Sequence, residues 1–201
     1  MRIEAVIFDI GNVLVLFDWQ LAEQQIRLRI GNDTEEARCE LVLLKERFEV
    51  GQVSRDVFLR SAIRILDFRG GTDEFAAIWN SVFSPNAKLE EFIIRLKESL
   101  PLYLLSNTSE LHLTHLEERF QVLEHFVDGV YSFRVQCAKP DRKIFEIAAK
   151  RFGVTPPRTL FVDDLAPNVE SAADYGFQTI RYDWKRHAEF RKQLGEFGLA
   201  C

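Results

Sequence analysis

Four short polar clusters, each behind an apolar or strand-like run, carry the side chains that could do chemistry. Asp9 follows AVIF, Ser106-Asn107-Thr108 follows YLL, Lys139-Pro140 follows the segment 129–133, and Asp163-Asp164 follows LFV. Taken singly, each has a plain structural reading. An Asp closing a strand forms a turn or caps a helix, Ser-Asn-Thr caps the next helix, and Lys-Pro makes a solvated turn. The adjacent pair Asp163-Asp164 is harder to place, because like charges in a cleft call for a cation or a hydrogen-bond network. Together the clusters supply three carboxylates, two or three small hydrogen-bonding groups and one lysine.

The elements that must position them follow from the hydrophobic pattern. The run 4–8 is short and, after Glu4, apolar throughout, as a strand buried on both faces of a parallel sheet should be. Further strands are expected at 102–105, 159–162 and 178–182, with a short segment at 129–133. Helices are expected between them: Leu89, Phe92, Ile93 and Leu96 recur at helical spacing, as do Ile144, Ile147, Ala148 and Phe152. Others are expected near 109–120 and 168–175, with a charged amphipathic one at 185–197. Strands alternating with helices imply right-handed crossovers and a doubly wound α/β sheet. In such a sheet ligands bind beyond the carboxyl ends of the strands, near the point where strand order reverses. The four clusters are expected to converge there.

The stretch 18–81 differs. It has helical periodicity without a convincing strand, helix starts at Asp33 (a capping box with Glu36) and Thr72, and breaks at Gly31-Asn32, Gly51 and Gly70-Gly71. Ser84-Pro85-Asn86 then punctuates the chain. The expected architecture is an α/β core of residues 1–16 and 87–201 with a small helical domain, 17–86, inserted after the first strand.

Composition narrows the function. With 201 residues, 47% hydrophobic and 28% charged, the chain is an ordinary globular one. A net charge of -5 disfavours non-specific nucleic-acid binding, and the seventeen phenylalanines, with no basic stripe beside them, read as packing. Cys39, Cys137 and Cys201 form no CxxC pair and read as reduced thiols. No apolar run approaches the ~20 residues of a membrane span, and the N-terminus lacks a signal-peptide h-region. A cytoplasmic location without nucleic-acid or membrane partners is expected; the oligomeric state is not legible. His112 and His115, three residues apart, could share one helix face, and read as solvated surface groups. Phe17, Asp18 and Trp19 read either as a hydrophobic hinge or as groups facing a substrate.

VIFDIGNVL, LLSNTS, AKP and FVDDLAPNVESA together resemble the four ordered motifs of the haloacid dehalogenase-like hydrolases. The resemblance covers the whole core, and the insert falls where that family places its C1-type cap. It implies that Asp9 is the nucleophile that becomes an aspartyl phosphate. It implies a Mg²⁺ held by Asp9, the Gly11 carbonyl and Asp164, with Asp163 direct or through water. Ser106 and the Asn107 amide would bind phosphate oxygens, Lys139 would neutralise charge on Asp9 and the transferring group, and Asn168 would orient the metal-binding loop.

One departure stands out. Most phosphatases of the superfamily read DxDGT, whose second Asp is the general acid and base; here that position is Gly11, followed by Asn12-Val13. The FDxGNV form resembles a bacterial subgroup that includes phosphatases of glucose 1-phosphate, whose anomeric oxygen leaves without much protonation. The expected function is a Mg²⁺-dependent hydrolase of a small phosphorylated metabolite, a sugar phosphate. Two alternatives stay open here: a 2-haloacid dehalogenase, whose halide needs no proton, and a binding or regulatory module without turnover. Phosphotransfer is a further possibility.

Overall fold

The computed structural model describes residues 2–199, so Cys201 lies outside the described residues. Five strands, β1 (Ala5–Phe8), β4 (Leu102–Ser106), β5 (Asp128–Tyr131), β6 (Thr159–Asp163) and β7 (Gln178–Arg181), form one sheet. Its order is β5-β4-β1-β6-β7, and every pairing is parallel. The chain runs outward from β1 through β4 to β5, then returns across β1 to β6. The switch point therefore falls at β1, and the carboxyl ends of β1, β4 and β6 stand side by side.

Side-chain alternation divides the sheet into two buried faces. Val6, Phe8, Leu102, Leu104, Leu160 and Val162 pack with Leu89, Phe92, Ile93 and Leu96 of α5 (Ala87–Leu96) and with Phe190 and Leu194 of α10 (His187–Glu196). Ile7, Leu105, Val130 and Phe161 face the other way, onto α8 (Arg142–Phe152) and α9 (Ala166–Tyr175). The doubly wound α/β core is as the pattern requires, with strand ends shifted by about a residue.

Between β2 (Val15–Phe17) and β3 (Phe83–Pro85) of the chain, the helices α1 (Trp19–Arg27), α2 (Glu35–Glu49), α3 (Arg55–Leu66) and α4 (Thr72–Asn80) pack around a cluster of their own. Its centre is aromatic: Phe48 stacks on Phe58 at 4.3 Å, and Trp79 touches Phe58, Phe75 and Trp19. This helical insertion joins the core through an antiparallel ribbon, β2 with β3. Three-residue strands are too short to show a period, which is why Ser84-Pro85 reads in the sequence as a break.

Two helix starts differ from expectation. Thr34, not Asp33, caps α2: its backbone is extended and its hydroxyl accepts from the Ala37 amide at 3.2 Å. The Asp33 carboxylate is instead paired with Arg38 at 3.2 Å. Thr72 is the first residue of α4, and Gly71 occupies its cap position with no side-chain bond. Cys39 is exposed and Cys137 buried, both as free thiols.

The stretch linking β4 to β5 contains α6 (Glu110–Arg119), capped by the Ser109 hydroxyl, and α7 (Ser132–Val135) follows β5. Among the described residues no helix is long and apolar enough to cross a membrane.

Candidate active site

Asp9 leaves β1 with its amide bonded to the Val162 carbonyl of β6 at 2.9 Å, so the neighbouring strand fixes where its side chain starts. Lys139 reaches the same point from the loop before α8. Its ammonium lies 2.9 Å from Asp9 Oδ1 and 2.7 Å from Asp163 Oδ2, and donates to the Leu105 carbonyl at 2.7 Å. The lysine side chain is 1% exposed, so this is a buried charge held by three oxygen partners rather than a solvated turn. Its loop is held in turn by Asn107, whose side chain donates to the Lys139 carbonyl and accepts from the Lys139 amide, both at 2.8 Å. The Asn107 side chain is thereby occupied within the protein.

Asp163 is completely buried and fully engaged. Besides Lys139, Asn168 Nδ2 contacts both its oxygens, at 3.0 and 3.1 Å, and the Leu165 amide donates to Oδ1 at 2.9 Å. Asp164, half-buried beside it, accepts from Asn12 Nδ2 at 3.2 Å. Asp9, Asp163 and Asp164 each place an oxygen within 4.8 Å of the others. Three carboxylates against one ammonium leave the cluster anionic.

The electrostatics follow from this crowding. Burial pushes Asp9 up to about 6, with Asp163 adding to the push and Lys139 opposing it. Burial and then the charge of Asp163 raise Asp164. Burial pulls Lys139 down, but Asp9 and Asp163 more than offset it and hold the ammonium above its ordinary range. A hard divalent cation suits such a set, being all oxygen, closely spaced and short of positive charge.

A cavity of about 290 Å³ opens over these groups. Its floor includes Asp9, Gly11, Ser106, Asn107, Lys139 and Asp164, so every residue that the four motifs nominate lines it except Asp163, which lies behind Lys139. Its far walls come from elsewhere: Phe17 and Phe83 of the ribbon, Lys45 and Glu49 of α2, and His112 and Leu116 of α6. Phe17 packs on Phe83 at 5.7 Å, as the hinge reading expects, and also lines the cavity. Asp18 only caps α1, and Trp19 packs on Trp79.

His112 is the clearest correction. It is buried, not solvated, because the helical insertion covers it: its ring lies along Trp79 and edge-on to Phe83. Burial lowers its pKa to about 4, so the ring is neutral near pH 7. His115 is half-buried, with burial lowering its pKa as well. Asn12 was also not visible as a site residue. It takes a left-handed backbone (φ 54°) and spans from Asp164 to the Phe17 amide, which donates to its Oδ1 at 3.1 Å. The one available signal was that asparagine tolerates that conformation better than most residues. Gly11 itself does not need to be glycine: a Cβ there would meet nothing within 4 Å.

The chain resembles known proteins over nearly its whole length. It is 27% identical to a D-ribitol-5-phosphate phosphatase of Bacteroides thetaiotaomicron, over 96% of this chain and 97% of that one. It is 30% identical to a phosphatase of Mycobacterium tuberculosis, over 91% and 88%. Among solved structures, a HAD-family enzyme of Bacteroides thetaiotaomicron in complex with magnesium and inorganic phosphate superposes with a TM-score of 0.81 at 25% identity, over 92% of this chain and 98% of that one. The model of the haloacid dehalogenase-like hydrolases matches residues 3–176, which span four of the five sheet strands and the helical insertion. With that match over most of its length, the chain belongs to the haloacid dehalogenase-like hydrolases.

Proposed function

We propose that the protein is a Mg²⁺-dependent phosphomonoester hydrolase acting on a small phosphorylated metabolite, a sugar or polyol phosphate, through an aspartyl phosphate on Asp9. The observation that carries this reading is the buried Lys139 bridging Asp9 and Asp163 beside Asp164, at the floor of a cavity lined by Ser106 and Asn107. The Mg²⁺- and phosphate-bound relative and the two phosphatase relatives support it. The core would comprise 1–16 and 87–201, and the cap 17–86.

Asp9, Asp164 and the Gly11 carbonyl would hold the metal, with Asp163 behind Lys139 contributing charge. Bound there, a divalent cation supplies charge neutralisation and fixes the orientation of a phosphate oxygen. The protein groups do the rest. Lys139 opposes the rise that burial imposes on Asp9 and offers positive charge to the transferring group. Ser106 and the Asn107 amide receive phosphate oxygens, the Asn107 side chain being committed to the Lys139 loop. Asp9 attacks phosphorus, the ester oxygen departs with the bonding electrons, and water then releases phosphate from Asp9. A dehalogenase would have to seat a carboxylate substrate against the anionic cluster, which disfavours that alternative.

The test is a panel of phosphomonoesters assayed with Mg²⁺ and with chelator. Phosphate release that needs Mg²⁺ and is abolished by Asp9→Asn is the expected result. Tight phosphate binding with no turnover of any ester would replace the hydrolase reading with that of a binding module.

A further inference from the structure

Asp163 and Asp164 are neighbours in sequence but are held in different ways. Asp163 is fixed by Lys139, by Asn168 Nδ2 and by the Leu165 amide. The Asp164 carboxylate accepts from one side chain among the described residues, Asn12 Nδ2 at 3.2 Å. Arg181 Nε holds only its backbone carbonyl, at 3.0 Å. Asn12 is therefore what aims the Asp164 side chain. A half-buried carboxylate keeps several rotamers open unless a partner selects one.

Asn12 is itself fixed at both ends of its amide. The Phe17 N–H can only donate, so it takes Asn12 Oδ1, at 3.1 Å, and leaves Nδ2 to face Asp164. The chain thereby sets which end of the amide meets the carboxylate. The left-handed backbone of Asn12 (φ 54°) matters as well, because that torsion orients the planar peptide unit carrying the Gly11 carbonyl. One residue thus governs two of the groups that would hold the metal, Asp164 through its side chain and Gly11 through its backbone. Phe17 is the last residue of β2, so the brace on Asp164 stands on the ribbon that carries the helical insertion. Asn12 lines the same cavity as Asp9 and Asp164.

We propose that Asn12 is a positioning residue that presets Asp164 and the Gly11 carbonyl for a small divalent cation, and so favours Mg²⁺ over Ca²⁺. The physical reason is tolerance. Mg²⁺ demands near-ideal octahedral geometry at short distances, whereas Ca²⁺ accepts a larger and more flexible shell of oxygens. A carboxylate free to turn therefore costs Mg²⁺ more than Ca²⁺. Losing a hydrogen bond that orients a ligand commonly lowers metal affinity ~10–100-fold. The inference rests on the Mg²⁺-dependent hydrolase reading of the cleft and names the residue that sets the choice of ion.

The experiment titrates Mg²⁺ and Ca²⁺ calorimetrically into the unmodified protein and into Asn12→Gly, which keeps the left-handed turn and removes only the side chain. Mg²⁺ affinity should fall at least about tenfold and Ca²⁺ affinity less than about threefold. The Mg²⁺ loss should all but vanish when Asn12→Gly is added to Asp164→Asn, because the asparagine acts through that carboxylate. The thermal midpoint in chelator records any general loosening separately. Equal losses for the two ions, or the same Mg²⁺ loss with and without the Asp164 carboxylate, would make Asn12 a structural residue and overturn the proposal. Unchanged Mg²⁺ affinity in Asn12→Gly would overturn it too. Binding is read without turnover, so this proposal and the hydrolase reading fail separately. A selective Mg²⁺ loss in Asn12→Gly, with no ester hydrolysed by the unmodified protein, would sink the hydrolase reading and keep the role of Asn12. Mg²⁺-dependent hydrolysis with Mg²⁺ affinity unchanged in Asn12→Gly would do the reverse.

Discussion

At the residue scale the telling pair is Gly11 and Asn12. Gly11 is not there for its backbone freedom, since a Cβ would point into open space; Asn12 takes the left-handed turn instead. The absence at position 11 is therefore chemical, a missing carboxylate rather than a needed glycine. That makes Gly11→Asp a clean test of what the missing group costs. General acid help is commonly worth ~10²–10⁴ in rate, and it counts most when the leaving oxygen is basic. Gly11→Asp should raise kcat/KM for an alkyl phosphate by at least about tenfold while moving an aryl phosphate much less. Equal gains on both would refute the leaving-group argument. Asp9, Ser106 and the acidic pair were legible because strand ends are legible, and a parallel sheet gathers such ends. Asn12 and His112 were not, since the sign of φ and the depth of burial belong to the folded chain.

At the scale of elements, the end of α2 decides how closely the insertion sits on the core. Gly51, just after that helix, has φ +69°, and a Cβ there would stand 2.1 Å from the Phe133 carbonyl oxygen, a backbone atom that cannot swing aside. Gly51→Ala should therefore cost about 2 kcal/mol or more, combining left-handed strain with the clash. Urea unfolding measures this, and a loss below about 0.5 kcal/mol, the ordinary surface level, would mean that α2 is not held as tightly as the geometry implies. The elements themselves were largely readable: α5 buries the four apolar residues expected from its spacing. The misreadings were local. Thr34, not Asp33, has the extended cap backbone with its hydroxyl on the Ala37 amide, and the ribbon β2–β3 was too short for periodicity to register.

At the scale of the molecule, the anionic cluster couples metal binding to stability. Asp9, Asp163 and Asp164 repel one another in a buried site with one compensating lysine, and a ligand that binds only the folded state stabilises it by mass action. At a hundredfold excess over its dissociation constant, Mg²⁺ should contribute about 2.7 kcal/mol, which for a chain of this size raises the thermal midpoint by roughly 5–10 °C. Scanning calorimetry in Mg²⁺ and in chelator measures the shift, and Asp164→Asn should reduce it. A midpoint indifferent to saturating Mg²⁺ would remove the metal from this site.

The sequence by itself determined the doubly wound sheet, the interruption after its first strand and the polar clusters at the strand ends, because hydrophobic period and chain order are local properties. Only the tertiary structure decided that Lys139 is a buried bridge, that Asn107 spends its side chain on that loop, and that His112 is buried. Those facts depend on which surfaces the helical insertion covers. Coverage joins residues tens of positions apart, such as Trp79 with His112 and Glu49 with Ser132, and no spacing along the chain records it.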